Sequence, residues 1–293
     1  MRKFLNEIRM QFGNATSLYR LMAINIGVFL FFTLIRTFLF LFQVNDSWLD
    51  LVINKLSLPS DLGTLITQPW SLVTYMFLHE GIMHIVFNML VFYWMGKLLT
   101  EYLGNDKLWT TYLLGGLTGG LLYILAFNLF PAFETVGQVS RLLGASAGVI
   151  AILIAAATLL PDYLVHLMIF GEVKLKYVAI ASILLYAISI PYGNAGGHIA
   201  HLGGALFGFT MIKFLRNGTD ITTWLAKLGN RNKSKSNLRV VSRSKRASDE
   251  EFFETKRNSQ ENIDRILDKI NRSGFDSLTG DEKEFLYKAS GKK

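Results

Sequence analysis

Six apolar stretches dominate the first 216 residues, and each approaches the length of a membrane-spanning helix. Crossing about 30 Å of hydrocarbon takes roughly 20 apolar residues. The stretches cover residues 21–42, 72–96, 108–130, 142–160, 175–191 and 197–215. The first is too long for a cleavable signal and no small-residue cleavage site follows it, so we expect it to remain as an anchor. The pattern predicts an all-α fold, a polytopic bundle of six transmembrane helices.

A shorter amphipathic segment lies in the long loop after the first span. Between Ser47 and Leu58, apolar residues recur at helical spacing, with Trp48 and Leu51 among them. Such a segment is typical of a helix that lies in the membrane interface rather than free in water.

The chain changes character after residue 216. Residues 217–259 are polar and charged with little aliphatic periodicity, which predicts a flexible basic linker. Beyond it, two apolar-faced segments flank Gly274, and Thr279 with Glu282 forms a capping-box pattern. We therefore expect an N-terminal cytoplasmic segment, a six-span membrane domain, a linker and a small soluble helical hairpin. Their bounds are 1–20, 21–216, 217–259 and 260–293.

The distribution of charge predicts the orientation. The formal net charge is +8, and residues 213–246 hold ten Lys and Arg residues against Asp220 alone. Basic residues also precede the first span, so the positive-inside rule puts both termini in the cytoplasm, as an even number of spans requires. The basic run fits a segment lying on anionic lipid, and fits a solvated linker equally well. We expect a multi-pass membrane protein.

Composition narrows the function classes. The chain is 51% hydrophobic and 18% charged, with a mean hydropathy of +0.32, which argues against an ordinary cytosolic enzyme. It contains no cysteine, which excludes disulfides, thiolate zinc sites and a cysteine nucleophile. We expect the lipid bilayer as a partner, no nucleic acid, no metal and no cofactor.

Polar groups inside the spans are costly and therefore suggest function. They are His79, His84, Asn88, Ser146, His198 and His201. Counted from the inner ends of their spans at about 1.5 Å per residue, Ser146, His201 and His84 all lie roughly 18–22 Å above the inner face. The count predicts that three alternate spans bring these groups to one level.

A hydroxyl and an imidazole at one level suggest a serine nucleophile, Ser146, with His201 as its general base. No carboxylate within a span is placed to orient the imidazole, so the expected unit is a dyad. His84 and Asn88 share a helix face and, with the Ser146 backbone N–H, are candidate oxyanion donors. Gly144, Gly204 and Gly208 are small residues, which favours close helix packing.

These motifs resemble the rhomboid intramembrane serine proteases. The resemblance covers roughly residues 70–210 and consists of HEGIMHIVFN, Gly144-Ala145-Ser146, and Ala200-His201-xx-Gly204-xxx-Gly208, on alternate spans of the chain. It implies a rhomboid-like bundle in which Ser146 and His201 are catalytic and His84, Asn88 and the Ser146 amide bind the oxyanion. It also implies that the substrates are transmembrane segments of other proteins, cut near the outer face where a helix unwinds easily.

The sequence departs from the family pattern in three places. Ala147 follows the serine where the family often has glycine, Ile150 stands where an aromatic residue often packs against the histidine, and Ser71 replaces the arginine of a frequent Trp-Arg pair. The tail resembles the tails of some bacterial rhomboids, and its partner is unknown. The resemblance implies a location in a bacterial inner membrane.

Three rival functions are weighed against this one. In a catalytically inactive rhomboid-like binding or scaffold protein, the same polar residues would only form a hydrogen-bonded network. A metalloprotease is disfavoured because His84 follows His79 by five residues rather than four and so points about 140° away on a helix. A transporter would more often show an internal repeat and matched helix breaks, and neither is found.

Overall fold

The computed structural model describes residues 16–137, 139–167, 171–223, 262–266, 268–274 and 277–289. These residues fall into two compact units, divided between residues 232 and 233. The helices of the first unit are α1 (Ser17–Leu41), α2 (Ser47–Leu56), α3 (Leu62–Thr67), α4 (Ser71–Thr74), α5 (Ile82–Leu103), α6 (Asn105–Leu129), α7 (Ser146–Leu159), α8 (Leu175–Ser189) and α9 (Ala195–Arg216). Single 3₁₀ turns follow α4, α6 and α8 at Tyr75–Phe77, Pro131–Phe133 and Ile190–Tyr192.

Most of the predicted spans are present as long apolar helices. Among the described residues, α1, α5, α6, α9 and α8 with its 3₁₀ turn are long and apolar enough to cross a membrane. Helix α7 occupies the place of the fourth predicted span but has only 14 residues, a length of about 21 Å. It begins at Ser146 rather than at residue 142, because residues 141–142 form a strand and residue 145 is a bend.

The second predicted span is wrong at both ends. Helix α5 starts at Ile82, ten residues after the predicted start, and continues past Lys97 to Leu103. The residues before Ile82 form α4 and a 3₁₀ turn, whose Tyr75 is buried and donates a hydrogen bond from its hydroxyl to the Gly116 carbonyl. Lys97 does not end the helix, since a long basic side chain can extend to water along an apolar surface.

Two short antiparallel pairs of strands were not predicted. Near the N-terminal end of α7, β1 (Leu58–Pro59) pairs with β2 (Arg141–Leu142), which leads into α7. Beyond the C-terminal end of α7, β3 (Leu164–Leu167) pairs with β4 (Gly171–Lys174) just ahead of α8. The two basic side chains Lys176 and Lys174 bind the Asp162 carboxylate beside this hairpin and lower its pKa. His166 lies in β3 and is exposed.

The helix predicted between Ser47 and Leu58 is present as α2, with its bounds at Ser47 and Leu56. Leu49 on its inner face is buried, whereas Trp48 and Leu51 are exposed. The ion pair between Arg36 of α1 and Asp50 of α2 links this loop to the first span.

Helix α7 is the centre of the membrane unit. It packs on α5, α6, α8 and α9, and eleven of its residues are buried. Helices α1 and α8 lie at the periphery. Only about a tenth of the residues in the most apolar stretch of each helix are buried, so most of their side chains face outwards. The chain thus buries its most apolar, small-residue helix and exposes large apolar side chains on the outer helices, as a bilayer permits.

A short segment follows the C-terminal end of α9. Thr222 is buried, and the Lys107 ammonium at the start of α6 contacts the Asp220 carboxylate and lies 2.6 Å from the Thr222 hydroxyl. Residues 217–223 of the predicted linker therefore pack against the membrane unit, and the rest of that linker lies outside the described residues.

In the second unit, residues 262–266 and 268–273 are helical and α10 spans Gly280–Ala289. The predicted capping box is present: the Thr279 N–H donates to Glu282 Oε2 at 2.8 Å, and the Glu282 N–H is 3.4 Å from the Thr279 hydroxyl. Lys269 also donates to Glu282, and these bonds lower the pKa of Glu282 to about 2. Gly274, with φ +78°, follows the first helical segment at the position predicted to stop it.

The contact between α7 and α9 is made by backbone. A β-carbon at Gly204 would overlap the carbonyl oxygen of Ala147, and one at Gly208 would overlap that of Ala151. The predicted packing role of both glycines is therefore seen in the structure, and it explains why α9 can lie directly on α7.

This contact predicts a stability difference between two glycine substitutions. Gly204→Ala must separate α7 from α9 and should lower the free energy of unfolding by about 1–3 kcal/mol, as overpacking does. Gly27→Ala in α1 is the matched control, because nothing lies within 4 Å of that position, and it should not destabilise the protein. The apparent Tm of each variant in detergent measures the change in stability. Equal Tm values for the two variants would contradict the close contact.

Candidate active site

Ser146 is the first residue of α7, and the turn before it holds it in place. The Gly144 N–H donates to the Tyr75 carbonyl oxygen at 2.9 Å, and Gly144 has φ +134°, a backbone conformation that residues with a side chain rarely adopt. A β-carbon there would also lie 3.1 Å from the His84 ring and 3.5 Å from Ser146 Oγ. Gly144 was predicted as a helix-packing residue. It instead shapes the turn and leaves room for the two polar side chains, because it lies outside the helices.

The serine and the second candidate residue meet directly. His201, in the first half of α9, has Nε2 2.6 Å from Ser146 Oγ. His201 Nδ1 is buried and has no hydrogen-bond partner among the described residues. In the neutral tautomer that carries its proton on Nδ1, Nε2 is free to accept the serine proton.

An aromatic side chain that the sequence argument missed packs against this imidazole. The ring centroids of Tyr186, on α8, and His201 are 4.4 Å apart, and the rings meet edge to face at 62°. The sequence offered only an indirect signal, namely that Ile150 leaves the usual aromatic position empty. An aromatic residue on a peripheral helix is ordinarily taken as facing lipid.

His84 and Asn88 lie on the other side of Ser146, in the first two turns of α5. The His84 ring approaches Gly144, as described above, and both side chains line the same cavity as Ser146. The Asn88 amide donates one hydrogen bond to the His84 carbonyl at 2.9 Å, which leaves its second N–H for another acceptor. The structure thus brings together all four predicted catalytic and oxyanion residues.

The cavity that contains these groups has a volume of about 450 Å³. Its walls come from α5, the segment around β2, α7, α8 and α9, and include Met83, Phe87, Ile150 and Tyr186. Met83 and Phe87 are also exposed on the outside of the bundle. The cavity therefore borders the surface that faces lipid.

The predicted depths need one correction. Because α5 ends at Leu103 rather than at Lys97, His84 lies nineteen residues, or about 28 Å, above the inner end of its helix. Ser146 lies about 20 Å and His201 about 22 Å above the ends of α7 and α9. The three groups still meet, and the count from α5 overestimates the level of His84.

His79 and His198 lie near the site, but neither is part of the Ser146–His201 pair. His79 precedes α5 instead of lying in it, and its ring meets that of His84 edge to face at 5.1 Å. His198 lies in the first turn of α9, with its ring centroid 6.1 Å from those of His201 and Tyr186.

The outer loop is tied to the strand that leads to Ser146. Arg141 of β2 donates to the Asn54 carbonyl at 2.7 Å and to Gln68 Oε1 at 3.3 Å. Trp70 Nε1 donates to the Lys55 carbonyl, and the buried Ser71 hydroxyl donates to the Gln68 carbonyl. These hydrogen bonds fix the loop, although this chain has Ser71 in place of the arginine of the family's frequent Trp-Arg pair.

Such a constellation has the parts needed for acyl transfer. A hydroxyl is in hydrogen-bond contact with a ring nitrogen, and polar donors line the same cavity. Ser146 also opens a helix, whose first N–H groups lack carbonyl partners within the helix.

Comparison with known proteins gives two family matches. The model of the Rhomboid domain matches residues 67–218, just over half of the chain, and that range contains Ser146, His201, His84 and Asn88. Residues 247–292 match a family of unknown function (DUF6576), so the tail brings no functional assignment.

Several relatives resemble the membrane unit. Rhomboid-like protease 3 of Toxoplasma gondii is 28% identical over 165 residues, which cover 55% of this chain and 57% of the relative. Presenilin-associated rhomboid-like protein A, mitochondrial, of Danio rerio is 30% identical over 47% of this chain and 35% of the relative. RHOMBOID-like protein 12, mitochondrial, of Arabidopsis thaliana is 32% identical over 46% of this chain and 43% of the relative.

The matches cover less than two thirds of each of these relatives. The relatives are eukaryotic and several are mitochondrial by name, so they give no support to the bacterial inner membrane expected from the sequence. With several apolar helices and a matching domain that contains the whole candidate site, the chain is a multi-pass membrane protein and belongs to the rhomboid family.

Proposed function

We propose that this protein is an intramembrane serine endopeptidase that cleaves transmembrane segments of other membrane proteins. The observation that carries the proposal is the 2.6 Å contact between Ser146 Oγ and His201 Nε2 inside a cavity at the border of the lipid-facing surface. Membership of the rhomboid family and the name of the Toxoplasma relative, a rhomboid-like protease, support it.

In the proposed reaction, His201 Nε2 takes the proton of Ser146 while Oγ attacks the scissile carbonyl carbon. The C–N bond then breaks, His201 returns the proton to the leaving amine, and the acyl group stays on Ser146. A water molecule, deprotonated by His201, attacks the ester and releases the carboxylate product, and the serine regains its proton. No carboxylate is required to hold the imidazole, which makes the unit a dyad.

The negative charge on the carbonyl oxygen needs hydrogen-bond donors. The Ser146 backbone N–H, the His84 ring and the second N–H of the Asn88 amide are proposed for this role, because all line the cavity beside Ser146 Oγ. Preorganised donors in a cavity that excludes most water stabilise such a charge more than bulk water does.

The choice of substrate follows from where the cavity lies. Met83 and Phe87 of α5 and Tyr186 of α8 line it, and both helices have apolar outer faces. A helix in the bilayer can approach from this side, and an unwound stretch of it can reach Ser146. Unwinding a helix exposes polar backbone groups, which costs free energy in a membrane. Segments that contain residues of low helix propensity unwind at a lower cost, so we expect them to be cleaved preferentially.

The first prediction tests the dyad. Ser146→Ala and His201→Ala should each remove nearly all cleavage of a single-span reporter protein, and the double variant should be no worse, because residues that act as one unit are non-additive. A fluorophosphonate probe should label Ser146 in the wild-type protein and in His166→Ala, a control on the exposed strand β3, but not in His201→Ala.

Near-normal cleavage by folded Ser146→Ala would end the proposal. Binding of the reporter without cleavage or labelling by the wild-type protein would favour the inactive binding or scaffold function instead.

The second prediction tests the oxyanion donors. Removing one donor costs on the order of 10²- to 10³-fold in kcat when nothing replaces it. Asn88→Ala should lower kcat by about 10²-fold or less, since His84 and the Ser146 N–H remain as donors. His198→Ala should keep most activity because it is assigned no proton or charge to handle. A larger loss for His198→Ala than for Asn88→Ala would contradict this assignment.

The third prediction tests topology. Positive charge at the inner helix ends implies that both termini and the β3–β4 hairpin lie on one side of the membrane, the cytoplasmic side. Single cysteines introduced at His166 and Glu134, both exposed, should be labelled from opposite sides by an impermeant thiol reagent. The protein has no native cysteine, so each signal is unambiguous. Labelling of both positions from the same side would refute the topology.

A further inference from the structure

Among the described residues, the imidazole of His201 has a hydrogen-bond partner at one of its two nitrogens. Its Nε2 contacts Ser146 Oγ, and its buried Nδ1 has no hydrogen-bond partner in the described part of the chain. A ring held at one nitrogen can still rotate about its Cβ–Cγ bond, which moves Nε2 away from the serine. Something else must limit that rotation if the pair is to stay aligned.

Tyr186 is placed to limit it. Its ring meets His201 edge to face with centroids 4.4 Å apart, within the range in which aromatic pairs attract each other. Tyr186 also stacks against His198 at 6.1 Å and 28°, so its own ring is held on a second side. The Tyr186 ring therefore bounds the imidazole on one side, while Nε2 contacts Ser146 Oγ.

The position on α7 that could hold such a ring is aliphatic. Ile150, one helical turn after Ser146, lines the same cavity as Tyr186 and His201. The cavity is therefore a place where a ring from α7 or a ring from α8 could reach the imidazole, and in this chain the ring comes from α8.

We infer that Tyr186 is a positioning residue for His201, supplying from α8 the aromatic contact that Ile150 does not provide from α7. The inference rests on the proposed function. It links the alignment of the dyad to α8, a peripheral helix in which Leu175 and Ala179 are the buried side chains. Any displacement of α8 away from α9 then loosens the general base as well as widening the cavity.

The test uses the full chain and compares kcat and KM for the reporter protein with the rate of fluorophosphonate labelling. Tyr186→Phe keeps the ring and should stay within a few-fold of wild type. Tyr186→Leu removes it and should lower kcat and the labelling rate by about 10- to 100-fold, the cost of small misalignments, with KM little changed. Tyr177→Leu, on the same helix but near its inner end, is the matched control and should behave as wild type.

A rescue variant separates positioning from simple packing. Tyr186→Leu combined with Ile150→Tyr moves the ring to α7 at nearly constant volume, a change that cores tolerate well. We expect it to recover most of the lost kcat and labelling rate. If Tyr186→Leu alone does not fold, this double variant carries the test. A folded double variant with no recovery would overturn the inference.

The outcomes distinguish the role proposed for Tyr186 from the proposed function of the protein. Wild-type cleavage that depends on Ser146, together with unchanged rates in Tyr186→Leu, overturns the role of Tyr186 alone. Wild-type protein that neither cleaves nor labels overturns the proposed function before Tyr186 is considered.

Discussion

The site depends on the backbone contact between α7 and α9. Gly204 and Gly208 carry no side chain, so α9 lies against the carbonyl groups of Ala147 and Ala151. Ser146 directly precedes Ala147, and His201 lies one helical turn before Gly204. The same contact that packs the two helices therefore sets the distance between the hydroxyl and the imidazole, and neither side chain has to adjust over a long reach.

A second constraint comes from the short length of α7. An apolar helix of 14 residues cannot cross the hydrocarbon by itself, so the chain above it must be supported by protein. The β1–β2 pair, the Arg141 bonds and the Gly144–Tyr75 hydrogen bond supply this support. The outer loop thus fixes the height and the direction from which Ser146 enters the cavity.

Hydropathy predicted the positions of the long helices, because crossing a bilayer demands a length of apolar chain that few other structures need. It failed at residues 72–81, where buried tyrosine and short turns look as apolar as a span. The sequence predicted that Ser146 and His201 lie on alternate spans, because polar residues are rare within apolar stretches. Tyr186 was not, because nothing local distinguishes an aromatic residue that faces a neighbouring helix from one that faces lipid. The hairpin β3–β4 was too short to stand out from a loop.

The glycine contact also bears on how active and inactive rhomboid relatives are told apart. A sequence can retain both reacting residues and still lose the pairing if a side chain appears at a position equivalent to Gly204, because the backbones must then separate. Conversely, loss of an aromatic residue one turn after the serine need not mean loss of chemistry when a ring can arrive from another helix. Sorting such relatives by their serine and histidine alone would misplace the first kind, and sorting them by that aromatic residue would misplace the second.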